Sequence, residues 1–278
     1  MKKIIAAFDG LKYSESTRDY AIEIASQSDS FLVGVFLDDR TYTSYNVYQA
    51  IINEELTGEN VKHLQKKDRE SRMAATADFE KACRISGIQF TIHHDHNIAI
   101  NELKHESVYA DLLIINSQET LNHVDELVPT RFMRDLLGDV QCPVLVVPPM
   151  YRRIEKVVLL YDGKPSSVYS IKMFSYLVPP FEYLPTEVIS VNPVDSSLHI
   201  PDGALMKEFV KRHFPSAKYV VMQGAAEEEV TKLLKLDHNN AIVVLGAYRR
   251  GTVSRWFHES MADTLLKNLK VPLFIAHN

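Results

Sequence analysis

The chain has 278 residues, 46% of them hydrophobic and 24% charged, with a net charge of −5. That balance suits a globular protein with room for one large or two ordinary cores, and it excludes a disordered or fibrous chain. No basic stripe invites nucleic acid, the apolar runs are strand-sized and cannot span a bilayer, and two cysteines are too few for a disulfide framework.

The N-terminal Ile4-Ile5-Ala6-Ala7-Phe8 is stopped by Asp9-Gly10, too short for the apolar core of a signal peptide. A cytoplasmic protein is expected. In chain order, strands are predicted near 3–8, 31–37, 88–93, 111–116 and 143–148, with helices between them. Thr17, Tyr20, Ala21, Ile24 and Ala25 keep the rhythm of one buried helix face. Between strands two and three, residues 38–60 form a polar excursion with Tyr42, Tyr45 and Tyr48 and no firm period. A charged helix over about 61–86 follows. Pro148-Pro149 ends the fifth strand, and 148–153 reads as a linker. Strands then recur near 155–161, 187–192, 217–222, 240–246 and 271–276. Met206, Phe209, Val210 and His213 again keep helical spacing.

The second series repeats the first. Lys3 to Lys12 returns as Lys156 to Lys164, both strands ending in Asp-Gly. Asp111 to Ser117 returns as Asn240 to Ala247, and Cys142-Pro143 with its strand returns as Val271-Pro272 with its own. Three matches in one order indicate duplication. The strands are continuous apolar runs, so both sheet faces are covered, as in a parallel sheet with helices on each side. The predicted fold is α/β, two tandem copies of a five-stranded parallel sheet, with domains at 1–150 and 151–278.

Ligands of such sheets bind beyond the carboxyl ends of the strands. Asp9-Gly10 and Asp162-Gly163 stand there, and their carboxylates are equally suited to a ligand or to a turn and helix cap. After the fourth strand of the second half, Gly246 opens a loop that runs through Arg249, Arg250, Gly251, Ser254 and Arg255 to Ser260 and a helix. Amides and a helix N-terminus favour an anion at such a place.

These motifs resemble the universal stress protein family in its tandem form. The carriers are the two Asp-Gly strand ends, the segment from Gly246 to Ser260, and the closing strand Cys142 to Val147. The resemblance covers nearly everything outside the 38–60 excursion. It implies strand order 3-2-1-4-5, a role in stress response without a catalytic cycle, and an adenine nucleotide, ATP or AMP, as ligand. The family loop reads G-x2-G-x9-G-[S/T]. Carried over, it assigns Asp162, Gly163 and Val191 to the adenosine side and Gly246, Arg249, Ser254 and Ser260 to the phosphates. The sequence departs from the pattern. Arg249 and Glu259 replace the second and third glycines, while in the first half Asn116 and Glu119 replace the first two and Thr130 stands at the spacing of Ser260. The first half is therefore expected to hold no ATP. Family domains often pair through their fifth strands, which implies an intramolecular pseudo-dimer here, with further homodimerisation optional.

Two other readings come from the residues. An interaction protein without nucleotide would use the 38–60 excursion as its partner surface. A metal-dependent hydrolase would use His93, His94 and His96, with His105 or His123 completing the ligand set. A polar strand end accounts for these histidines without metal, and no metal is expected. Cys83 and Cys142 read as small apolar fillers.

Overall fold

A computed structural model describes residues 1–37, 58–95, 98–122, 125–246 and 260–277, the side chains of 58–61 and 237 excepted. In chain order the first half runs β1 (Lys3–Phe8), α1 (Glu15–Gln27), β2 (Phe31–Leu37), α2 (Gly58–Ile85), β3 (Phe90–Asp95), α3 (Ala99–Val108), β4 (Leu112–Asn116), α4 (Arg131–Asp139) and β5 (Val144–Val147). The second runs β6 (Lys156–Leu160), α5 (Pro165–Leu177), a 3-10 turn (Pro179–Tyr183), β7 (Thr186–Asn192), α6 (Gly203–His213), β8 (Lys218–Gln223), α7 (Ala226–Asp237), β9 (Ala241–Gly246), α8 (Met261–Asn268) and β10 (Leu273–Ala276).

All ten strands form one sheet in the order β3-β2-β1-β4-β5-β10-β9-β6-β7-β8. Each half has the expected order 3-2-1-4-5, with every pairing inside a half parallel. The halves meet where β5 and β10 pair antiparallel, Leu145 opposite Phe274. The intramolecular pseudo-dimer expected from the fifth strands is therefore present. Each half covers an edge strand that would otherwise offer unpaired backbone groups to another chain.

Alternation along each strand sends side chains to two faces. Ile4, Ala6 and Phe8 join a cluster with Tyr20 and Ile24 of α1, Phe79 of α2, and Phe174 of α5. Ile5 and Ala7 join the opposite cluster with Leu103 of α3, Met133 and Leu137 of α4, Leu234 of α7 and Leu265 of α8. Both clusters run through the seam. Phe274 of β10 meets Phe174 edge-on, with centroids 5.1 Å apart. Burial on both faces explains why the central strands are apolar throughout.

The segment after β5 is pinned to α1. Ser16 Oγ donates to the Pro148 carbonyl at 2.7 Å, and the Arg152 amide donates to the Tyr20 hydroxyl at 3.1 Å. Lys2 Nζ reaches across to the Leu177 carbonyl at 2.8 Å. Three sequence expectations shift. β3 and β8 each lie one to two residues later than predicted, and residues 58–60, assigned to the excursion, begin α2. The rest of the excursion, 38–57, lies outside the described residues. No helix among the described residues is long and apolar enough to cross a membrane.

Candidate functional site

The strand order places the carboxyl ends of β9, β6 and β7 side by side. That brings Gly246, Asp162-Gly163 and Val191 to one edge of the second half. Arg249 and Ser254, predicted to face phosphates, lie outside the described residues.

Asp162 follows β6 and turns the chain into α5. Its Oδ1 accepts from the Lys164 amide at 3.0 Å, and Lys164 Nζ stands 3.2 Å from Oδ2. Burial alone would raise its pKa. Hydrogen bonds from the Lys164 amide and Ser167, with the Lys164 ammonium, outweigh it and hold the carboxyl below its ordinary value. The side chain is still 51% exposed, so an ionised carboxylate faces solvent at the strand end. Gly163 follows at φ +79°, a left-handed conformation that L side chains avoid, and a Cβ there would lie 2.9 Å from Pro201 Cβ.

Gly246 has a structural reason of its own. A Cβ would lie 2.5 Å from both the carbonyl carbon and the carbonyl oxygen of Ser166. The end of β9 therefore rests directly on the first turn of α5, and only a glycine permits that approach. Val191 is partly buried on β7 opposite Met222, both against the second core cluster. Ser260 caps α8. Its hydroxyl accepts from the Asp263 amide at 3.1 Å, and Asp263 Oδ2 accepts from the Ser260 amide at 3.2 Å. A cleft of about 520 Å³ opens beside this edge, walled by Tyr161, Gly163, Pro165, Leu205, Phe209 and Arg212.

At the same edge of the first half, the corresponding described side chains are bonded within the chain. Asn116, in the place of Gly246, donates from Nδ2 to Ser14 Oγ at 2.8 Å and accepts the Gln118 amide at 2.8 Å. Asp9 is 1% exposed, and its Oδ1 accepts from the Leu11 amide at 2.7 Å. Glu119 is 6% exposed and accepts two backbone amides, from Thr120 at 3.1 Å and Leu121 at 3.2 Å. Thr130 caps α4, accepting from the Met133 amide at 3.2 Å, and its hydroxyl donates to the Glu119 carbonyl at 2.5 Å.

The histidine segment is divided between two environments. His93 Nδ1 lies 2.7 Å from Glu106 Oε1, and Lys3 Nζ is 3.1 Å from the other oxygen of the same carboxylate. His94 stacks on Phe36 with centroids 5.6 Å apart, and His105 sits against Tyr109 at 5.7 Å. His96 and His123 lie outside the described residues, among which no three metal-ligating side chains cluster. Cys83 and Cys142 are buried, and burial pushes both thiols up to about 12, away from nucleophilic use.

One cluster escaped the sequence. At the amino ends of the second-half strands, Lys156 Nζ lies 2.9 Å from Glu187 Oε1 and 3.0 Å from His238 Nε2, which is itself 3.1 Å from Glu187 Oε2. A cleft of about 870 Å³ adjoins it. Lys156 and His238 are separated by 82 positions, and no local pattern links them. A hint lay in the repeat, because Lys156 is the counterpart of Lys3, which makes the same kind of trio with Glu106 and His93.

The architecture is that of a tandem α/β protein whose halves share one sheet and present their strand ends separately. No family model matches the chain, and no curated protein does. Among solved structures it is similar to a universal stress protein from Archaeoglobus fulgidus DSM 4304. That match has a TM-score of 0.71 and 13% identity, and it covers 99% of this chain and 98% of the other. It is also similar to a protein of unknown function from Pseudomonas aeruginosa PAO1, with a TM-score of 0.65, 14% identity, and coverage of 100% and 92%. The whole chain thus has the fold of a solved universal stress protein.

Proposed function

We propose that the chain is a tandem universal stress protein of the cytoplasm, with domains at 1–150 and 151–278. It acts in stress response without a catalytic cycle. Its ligand is an adenine nucleotide, ATP or AMP, held by the second half alone. Asp162, Gly163 and Val191 take the adenosine side there, and Gly246, Arg249, Ser254 and Ser260 surround the phosphates. The observation that supports this most is the contrast between the strand ends. Asp162 keeps a half-exposed carboxylate beside Gly246, whereas the first half buries Asp9 and fills the corresponding space with Asn116 and Glu119. Extraction of freshly purified protein followed by mass spectrometry, with calorimetric titration of ATP into wild type and Arg249→Glu, tests it. Bound adenine nucleotide, or heat that the charge reversal removes, is the expected result. No nucleotide and no heat at millimolar ATP would reject it.

A second reading is favoured by a specific observation. Gly246, Asp162 and Ser260 each have a full structural reason, in close packing, a turn and a helix cap. On that reading the chain is a nucleotide-independent interaction protein, and the same titration gives no heat for any variant.

A further inference from the structure

The cleft at the amino ends of the second-half strands has a charged wall, and the wall's own bonds leave a defined set of groups open. It crosses the starts of four neighbouring strands, with Asn240 before β9, Glu155 before β6, Pro185 before β7 and Lys218 on β8. The register sets Glu187 between Val158 and Lys218 on one face, and alternation puts Lys156 on that face too. His238, 5% exposed, decides how the trio shares its hydrogens. Its Nε2 lies 3.0 Å from Lys156 Nζ, which can only donate, and 3.1 Å from Glu187 Oε2, which as a carboxylate can only accept. One nitrogen cannot serve both. A hydrogen on Nδ1 would be buried without an acceptor among the described residues, which is costly. Nε2 therefore carries the hydrogen and gives it to Glu187. Both Glu187 oxygens are then filled, the second by Lys156 at 2.9 Å, and Lys156 keeps two N–H groups for the cleft. Asn240 Nδ2 donates to Glu155 Oε2 at 3.0 Å, which leaves Glu155 its charge and its second oxygen. Lys218 is exposed and makes no ion pair among the described residues. Tyr183 and Pro185 supply an apolar flank.

We propose that this cleft binds a short peptide of about three to four residues with both ends free, its amino group at Glu155, a backbone carbonyl on Lys156 and its carboxylate at Lys218.

Charge and length select this ligand together. Glu155 and Lys218 stand two strands apart, about 10 Å across the sheet. Glu155 also lies three residues before Val158, which is level with Lys218. The backbone diagonal is therefore about 14 Å, and side chains reaching inward shorten it. An extended peptide of about three to four residues spans that separation. A single amino acid holds its charges too close together to reach both ends. A diamine or a dicarboxylate would set a like charge against one of them. Between the ends, the Lys156 N–H groups need acceptors, which peptide carbonyls provide, and an apolar side chain covers Tyr183 and Pro185.

The test is calorimetric titration of the full chain with the tetrapeptide Ala-Phe-Ala-Ala, free, N-acetylated or C-amidated, for wild type, Glu155→Gln and Lys218→Gln. Both side chains are exposed, and a glutamine at 155 keeps an acceptor for Asn240, so the variants retain the fold. The expected result is binding of the free peptide, weakened about fivefold by either block or either substitution, the loss of one ion pair at a rim. Changes at the same end should not add. Acetylation costs nothing further in Glu155→Gln, and amidation nothing further in Lys218→Gln, whereas the crossed combinations add. No heat with the free peptide at millimolar concentration, or equal affinity for the free and blocked peptides, would overturn the proposal.

Discussion

At the carboxyl edge the two halves start from the same chain ends and finish differently. Each has a strand ending in Asp-Gly, a fourth strand that turns into a loop, and a hydroxyl that caps the last helix. In the second half Asp162 stays half-exposed and Gly246 lets β9 rest on the backbone of α5. In the first half Asn116 replaces that close approach with a side-chain bond to Ser14, and Glu119 is buried on the Thr120 and Leu121 amides. The caps, Ser260 and Thr130, are unchanged in role. Among the described residues, duplication has thus preserved what packs and caps, while substitutions after the fourth strand have changed the contacts made at the edge. The amino edge differs in another way. Lys3 and Lys156 both meet a carboxylate and a histidine, but Glu106 comes from α3 and His93 from β3, whereas Glu187 comes from β7 and His238 from the end of α7. There the chemistry is kept and its source in the chain has moved.

The comparison breaks most visibly at Gly246. Gly246→Ala drives a methyl into the Ser166 carbonyl, which cannot yield as a side chain would, so a loss of about 3 kcal/mol or more is expected in denaturant unfolding. Its counterpart Asn116→Ala removes one hydrogen bond from the first half, and about 1 kcal/mol is expected. Equal losses at the two positions would contradict the different packing. Next in size is Asp162→Asn. The carboxylate that the Lys164 amide, Ser167 and the Lys164 ammonium hold below its ordinary value stabilises the fold once ionised. The variant should therefore be less stable than wild type at neutral and alkaline pH and match it only in strong acid, as read by denaturant unfolding across pH. Helix caps give the smallest contrast. Thr130→Ala should cost about 2 kcal/mol, because its hydroxyl also holds the Glu119 carbonyl, and Ser260→Ala about 1 kcal/mol.

Much of the frame was legible in the sequence. Central strands such as β1, β4 and β9 are short, continuous and apolar because they are buried on both faces, and their repetition exposed the duplication. The seam between β5 and β10 followed from the family resemblance. The edge strands β3 and β8 were placed less well. Their residues are mostly half-buried, so the apolar signal that marks an end is weaker. The site was legible only in outline. Asp9 and Asp162 read alike, and what separates them is exposure, 1% for Asp9 against 51% for the Asp162 side chain, which is set by packing from distant parts of the chain and not by any local pattern. Gly246 read as a phosphate-loop glycine, and nothing local to it announces the backbone of Ser166. The Lys156–Glu187–His238 trio joins three separate elements and has no motif at all.

The central claim is that the second half takes a nucleotide and the first half does not. Hydrogen exchange of the full chain with and without ATP at millimolar concentration tests it most directly. The account predicts new protection around Asp162, Gly246 and Ser260, with none around Asp9, Glu119 or Thr130. Protection at the first-half positions, or at neither edge, would contradict it.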